Sequence, residues 1–254
     1  MYSPEELANV MLDVSYNKVN RYAIKVFVSA MLAGMFIGLG YYANIVINSY
    51  EMPIIGSNTV GILRFLGAFI FAVGLIMVIV AGADLFTGNC LVMFGVFNKR
   101  IKFVDAIVHL LLVLLGNLIG ACFLALLIYY ANSPSTTIIN SIEEIAASKL
   151  DKSFISLVIL GILCNILVAI AVYMAYAAKN ITGKVIVVIL PIIAFILMAF
   201  EHSVANMFIF PLNALLQKDS LFLMFNNLLP VILGNFIGGG IILPLSYTVI
   251  YLKK

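Results

Sequence analysis

Charge is what this sequence has least of. Asp, Glu, Lys and Arg make up 10% of its 254 residues, where a soluble domain carries about a quarter. That scarcity excludes an ordinary water-facing surface. A net charge of +3, with no basic run beyond Lys99, Arg100 and Lys102, excludes the cationic face that nucleic acid requires. Cysteine is almost missing as well. Cys90, Cys122 and Cys164 all stand in apolar runs, with no CxxC pair and no His/Cys cluster. They read as small buried residues, not as disulfides or metal ligands. The two histidines, His109 and His202, lie 93 residues apart, and no HExxH, GxSxG or phosphate-binding loop occurs. No enzyme, metal site or cofactor is expected.

What fills the chain instead is hydrocarbon, at 64% hydrophobic residues and a mean hydropathy of +1.18. Such an excess has to face lipid. Residues 1–22 are mostly polar and precede the first apolar run, unlike a cleavable signal peptide, so the first span is expected to be retained. Candidate spans are Ala23 to Ile47, Leu63 to Phe97, Phe103 to Ala131, Phe154 to Ala178, Val185 to Leu216 and Asn227 to Leu252. A hydrocarbon layer of about 30 Å needs roughly 20 residues per helix. The second and fifth runs, at 35 and 32 residues, would extend about 52 and 48 Å as continuous helices. Each contains a polar interruption, GADLFTGN (82–89) in one and EHSVAN (201–206) in the other. The economical reading is two half-helices per run, joined by irregular backbone that is buried in protein or lines a cavity.

The halves echo each other. Asp84 and Asn89 return as Glu201 and Asn206, displaced by 117 residues. Gly116-Asn117-Leu118-Ile119-Gly120 returns as Gly234-Asn235-Phe236-Ile237-Gly238, displaced by 118. A repeat of three spans enters the membrane inverted in its second copy, an architecture common among proteins that move small solutes. With both termini cytoplasmic, ten Lys and Arg fall inside (Lys18, Arg21, Lys25, Lys99, Arg100, Lys102, Lys179, Lys184, Lys253, Lys254) and four outside (Arg64, Lys149, Lys152, Lys218), as the positive-inside rule asks. At the amino terminus Ser3, Pro4 and Glu6 form a capping box, and Leu7, Val10, Met11 and Val14 share one apolar face. The expected organisation is a cytoplasmic amphipathic helix within residues 1–22, then one six-helix transmembrane domain over 23–254, with halves of about 23–131 and 154–252.

At the interruptions the chain resembles the formate/nitrite transporter family. AGADLFTGN (81–89) is similar to its first signature, and GILCNILVAIA (161–171) to its second, with Ala169 where the family often has Cys. FEHSVANMF (200–208) is similar to the break in the family's fifth helix, histidine included. The match runs in order along essentially the whole chain. The resemblance implies an all-α integral membrane protein with six transmembrane helices as an inverted 3+3 repeat, the second and fifth broken, in an aquaporin-like protomer. It implies a homopentamer in the bacterial cytoplasmic membrane, surrounded by lipid, with one pore per protomer. The implied activity is passive or proton-linked passage of small monovalent weak-acid anions such as formate, nitrite and hydrosulfide, with the bacterial hydrosulfide-channel branch as the expected branch.

The residues supply a chemistry to match. A bare monovalent anion meets an idealised Born penalty of order 20 kcal/mol at low dielectric. A half-helix amino terminus, with free N–H groups and about half a positive charge, offsets part of it. An imidazole offers the other route, a proton near neutral pH. His202, beside Glu201 in the second interruption, is the first candidate for the pore centre, set against a structural histidine bonded to backbone. His109, unaccompanied by a break, reads as structural or interfacial. Thr87 is the second candidate. By spacing alone it is as often a helix cap; the resemblance sets it across the pore from the histidine. Asn165 and Asn206 read as supporting hydrogen bonders or as interhelical glue.

Asp84 and Glu201 look wrong for an anion path unless they cap broken helices or are neutralised by a partner. The resemblance offers Lys149 as partner for Glu201, against a solvated loop lysine. Phe71, Leu75, Phe86 and Phe195 correspond by resemblance to apolar constrictions on either side of the centre, which disfavour hydrated ions. An aquaporin-like channel for small neutral solutes is the alternative. Against it, neither break holds an Asn-Pro-Ala; the sequence reads Thr87-Gly88-Asn89 and Val204-Ala205-Asn206. A cation-coupled carrier stays open because of the two acids.

Overall fold

A computed structural model describes residues 2–49, 59–218 and 220–253. Lys254, counted above on the inner side, lies outside the described residues. The described elements are helical throughout: α1 (Pro4–Val19), α2 (Ala23–Asn48), α3 (Thr59–Ala81), α4 (Phe86–Phe97), α5 (Phe103–Tyr130), α6 (Thr136–Leu150), α7 (Phe154–Ala177), α8 (Ile181–Leu197), α9 (Ser203–Gln217) and α10 (Leu221–Tyr251). The two over-long runs are each split, α3 from α4 and α8 from α9. Six passes result: α2, α3 with α4, α5, α7, α8 with α9, and α10. The helix ends outrun the apolar stretches. α8 starts at Ile181 because Asn180 caps it, accepting from the Gly183 N–H at 2.7 Å. α10 starts six residues before Asn227, because Asn227 is buried and hydrogen-bonded instead of ending the helix.

Two helices lie across the ends of this bundle. α1 carries the full capping box: Glu6 Oε2 accepts from the Ser3 N–H at 2.7 Å and Ser3 Oγ from the Glu6 N–H at 3.2 Å. The Ser3 N–H holds the Glu6 carboxyl below its usual range. Its buried face, Leu7, Met11 and Leu12, packs on Leu91, Phe94 and Tyr173. α6 is its counterpart at the other end. Leu7, Met11 and Ser15 of α1 match Ile138, Ile142 and Ala146 of α6 at a displacement of 131, and all six are buried. The repeat therefore takes in these two helices as well as the membrane passes. Its displacement shifts from 131 to 117 partly because ten residues (49–58) separate α2 from α3, whereas three (178–180) separate α7 from α8.

Within each half, glycine brings two long helices into backbone contact, α2 against α5 and α7 against α10. A Cβ on Gly120 would strike the Met31 carbonyl, and one on Gly238 the Ile162 carbonyl. Gly120→Val is accordingly expected to cost about 3 kcal/mol through overpacking, read as a lowered unfolding temperature of the detergent-solubilised protein. The halves interlock through their short helices, α9 against α5 and α4 against α7, which carries both breaks to the middle.

Candidate functional site

The two breaks are built alike. α3 ends at Ala81 and the chain turns through Gly82 in the left-handed region, at φ +77°. α8 ends at Leu197 and turns through Ala199 at φ +52°, 117 positions later. Left-handed residues just past a helix end are a common way to stop it. Irregular backbone here needs partners for its polar groups, and one asparagine from a long helix serves each break. Asn117 Oδ1 accepts from the Phe86 N–H at 2.9 Å, while its Nδ2 donates to the Ala30 and Asp84 carbonyls at 2.7 and 2.9 Å. Asn235 Oδ1 accepts from the Ser203 N–H at 2.9 Å, while its Nδ2 donates to the Gly161 and Glu201 carbonyls at 2.8 and 3.0 Å.

Thr87, in the first turn of α4, and His202, the residue that caps α9, meet between the breaks. Thr87 Oγ1 lies 3.1 Å from His202 Nε2, and both residues are buried. The other ring nitrogen fixes the tautomer. Nδ1 accepts from the Ala205 N–H at 3.2 Å, so in the neutral ring the proton sits on Nε2 and points at the threonine oxygen. Thr87 thus receives a hydrogen bond and keeps its own hydroxyl proton to donate. Asn165 steadies Thr87 from behind, its Nδ2 donating to the Thr87 carbonyl at 3.2 Å and to the Asn235 carbonyl at 2.6 Å. It reaches α10 where that helix widens into a π-helical segment, Ile237–Ile242.

The carboxylates are doubly paired. Asp84 Oδ1 accepts from Lys18 Nζ at 2.6 Å and Oδ2 from Arg21 Nη1 at 2.5 Å. Glu201 Oε2 accepts from Lys149 Nζ at 2.7 Å and Oε1 from Lys152 Nζ at 2.9 Å. Of the two explanations open in the sequence, the structure shows pairing with cations; the helix N–H groups go to Asn117, Asn235 and His202 instead. Two cations face each carboxylate, but the ends differ in net charge: Lys184 adds to the lining at the α1 end, whereas Glu144 lines the other cavity and offsets the surplus there. A buried asparagine extends each network inward. Asn89 Nδ2 reaches Asp84 Oδ1 at 3.1 Å and His109 Nε2 at 3.2 Å. Asn206 Nδ2 reaches Glu201 Oε2 at 2.8 Å and Asn227 Oδ1 at 2.6 Å. Asn206 thus bonds the acid's network, not Thr87 or His202.

A cavity opens beside each ion-pair network. One, of about 310 Å³, is lined by Lys18, Arg21, Lys184, Gly88 and Asn89. The other, of about 350 Å³, is lined by Lys149, Lys152, Glu201, His202, Phe71 and Phe195. The Thr87–His202 contact lies between them. Phe71 meets Phe195 edge-on at 5.5 Å, and Phe195 stacks on the His202 ring at 5.8 Å. Leu75 and Phe86 are buried in the same core but line neither cavity. Sequence reasoning missed Lys18, Arg21 and Lys152 as partners of the acids. Their signal was present: Lys18 and Arg21 return as Lys149 and Lys152, each displaced by 131. Asn117 and Asn235 were visible as landmarks of the repeat, with no hint that they cap the breaks.

Known proteins share this sequence pattern and fold. The family model described as formate/nitrite transporter matches residues 5–249. Formate channel FocA of Escherichia coli strain K12 is 30% identical, over 99% of this chain and 95% of that protein. Among solved structures, an FNT family ion channel superposes with a TM-score of 0.87 at 28% identity, covering 96% of this chain and 98% of that one. A pentameric formate channel with formate bound gives a TM-score of 0.76 at 30% identity, covering 91% and 98%. Fold and sequence agree over nearly the full length: the chain is an integral membrane protein that belongs to the formate/nitrite transporter family.

Proposed function

We propose that this protein is a passive or proton-linked channel for small monovalent weak-acid anions, formate among them. Hydrosulfide and nitrite, equally small and singly charged, belong to the same proposal. The observation that carries it is the buried Thr87–His202 hydrogen bond, set where two half-helix amino termini meet. The cationic lining of the α1-side cavity draws an anion in, and at the other mouth, where Glu144 offsets the net charge, Lys149 and Lys152 offer local N–H donors. At the centre the Thr87 hydroxyl donates to it, helped by the first-turn N–H groups of α4 and α9 that Asn117, Asn235 and His202 leave unpaired, those of Thr87, Gly88 and Val204. In the proton-linked form His202 Nδ1 first takes a proton from cavity water, releasing the Ala205 N–H. The ring then passes its Nε2–H to the Thr87 hydroxyl, which gives its own proton to the anion, so the ring ends neutral and the neutral acid passes Phe71 and Phe195. The cationic groups on the α1 side support cytoplasmic termini, and the pentameric relative supports a homopentamer.

The deciding measurement is flux into proteoliposomes with formate, nitrite, hydrosulfide and chloride, each across a pH series. The weak acids should pass and chloride should lag. Flux should fall as the external pH rises, because each translocated neutral acid consumes a proton on entry. His202→Phe should abolish this pH dependence; a variant with unchanged flux and pH profile rules the relay out. Osmotic swelling in uncharged solutes without weak-acid flux would instead mark a neutral-solute channel.

A further inference from the structure

A groove runs along the outside of the protein between α2 and the end of α3. It encloses about 530 Å³. One wall is a single row of α2 side chains, Ile24, Val28, Leu32 and Phe36, each four residues from the next and so stacked on one face. Ile24, Val28 and Leu32 are exposed. At 1.5 Å per residue the row rises about 18 Å, close to one leaflet of a hydrocarbon layer about 30 Å thick. Arg21 and Lys25 stand at its head, and no acidic side chain lines it. Arg21 gives Nη1 to Asp84, yet its side chain stays 36% exposed. Lys25 makes no ion pair among the described residues and sits over the Tyr22 ring, 5.3 Å from its centroid.

We propose that this groove binds one anionic phospholipid, with its phosphate between Arg21 and Lys25 and an acyl chain along the α2 row. The length of the row fits a single leaflet's chain. An ammonium resting on an aromatic ring keeps its full charge, so the head of the groove attracts a phosphodiester. A zwitterionic head group brings its own cation to the same place, which makes net lipid charge the selector. A helix from a second protomer could cover the row but would leave the two cations uncompensated.

The repeat sharpens the choice. At a displacement of 131, Ile24 becomes Ile155, whereas Lys25 becomes Ser156. The apolar row therefore starts again in the second half without its cation pair. That asymmetry puts the site in the cytoplasmic leaflet, where anionic lipids attract basic residues, and here it rests on the orientation proposed above. Arg21 also belongs to the pore mouth. Lipid phosphate and Asp84 compete for one guanidinium, which couples leaflet composition to charge at the entrance.

Native mass spectrometry of the intact assembly tests this, with phosphatidylglycerol or phosphatidylcholine of equal chain length added to the detergent. Phosphatidylglycerol should be retained and phosphatidylcholine lost. Lys25→Gln should reduce retention about fivefold, and Val28→Trp should reduce it by filling the groove without altering charge. Lys99→Gln, on the same side but outside the groove, should leave retention unchanged. Excess inorganic phosphate should not displace the lipid, because the acyl chain supplies part of the binding. Equal retention by wild type and Lys25→Gln, equal loss in Lys99→Gln, or displacement by phosphate alone would each overturn the proposal. So would a disulfide joining two protomers through Val28→Cys, since a second copy would then occupy the groove. None of these measurements involves transport, so their outcome is separate from the transport reading.

Discussion

Glu201→Gln is expected to destabilise the protein by about 3 kcal/mol, the lower end of the loss when one partner of a buried ion pair is removed. The lower end applies because the lysines it abandons are buried unevenly, Lys149 at 13% and Lys152 at 27% exposure. Glutamine keeps the shape and still accepts from Asn206, so the loss isolates the charge. Unfolding midpoints in detergent measure it. Lys149→Met added to Glu201→Gln should recover part of the deficit, since contacting residues couple by 0.5–3 kcal/mol, about the range seen for such pairs. Asp84→Asn should cost less, because Lys18 and Arg21 are more exposed, at 21% and 36%. Transport should change too. One more uncompensated charge, worth about 1 kcal/mol at 4 Å even in bulk water, should lower the half-saturating formate concentration about fivefold and slow release. A midpoint within about 0.5 kcal/mol of wild type, the size of a neutral surface change, would show that the carboxylate does not hold these lysines.

The features legible in the sequence were those written into local length and spacing. A run of 35 apolar residues from Leu63 to Phe97 cannot be one straight membrane helix, so a break had to fall within 82–89; the structure narrows it to Gly82 to Leu85. Matching pairs such as Asp84/Asn89 and Glu201/Asn206 gave the inverted repeat. The pairing of the acids was less accessible, because Lys18 and Asp84 are 66 positions apart and nothing local links them. The repeat could have linked them, but its displacement changes between α2 and α3, and a search at 117 or 118 passes over Lys18/Lys149 and Arg21/Lys152. The π-helical widening of α10 had no legible signal beyond Gly238-Gly239-Gly240, a run that reads as a packing surface.

Where the halves agree and where they differ separates scaffold from chemistry. The acid, its two cations, the asparagine beside it and the asparagine that caps the break all occur twice. The central groups occur once. His202 matches Leu85, Thr87 matches Val204 and Asn165 matches Gly34. Under the proposed transport, a solute meets a pair of cations at either mouth, with Lys184 added at one and Glu144 at the other, then a single donor pair contributed by one residue from each half. The π segment serves that asymmetry: where Gly34 lets α2 touch Asn117 directly, Asn165 needs room to reach both Asn235 and Thr87.

That donor pair carries the second large effect. Thr87→Val keeps the shape and removes the hydroxyl, which takes the acceptor from the His202 Nε2–H and the donor from the anion. A hydrogen bond to a charged group is worth about 1.5–3 kcal/mol, so formate flux should fall roughly 10- to 100-fold, while Thr87→Ser should restore most of it. His202→Asn separates the ring's two tasks. Asparagine is as good an amino-terminal cap as any residue and can replace Nδ1 at the Ala205 N–H, so the unfolding midpoint should stay near wild type. It offers no Nε2–H across to Thr87 and no titrating group, so flux should drop and its pH dependence should flatten. The double variant should lose little beyond the worse single one, because both changes break the same bond. If Thr87→Val carried formate within about twofold of wild type, less than about 0.5 kcal/mol, the hydroxyl would be architecture, and the anion would be served by backbone N–H groups alone.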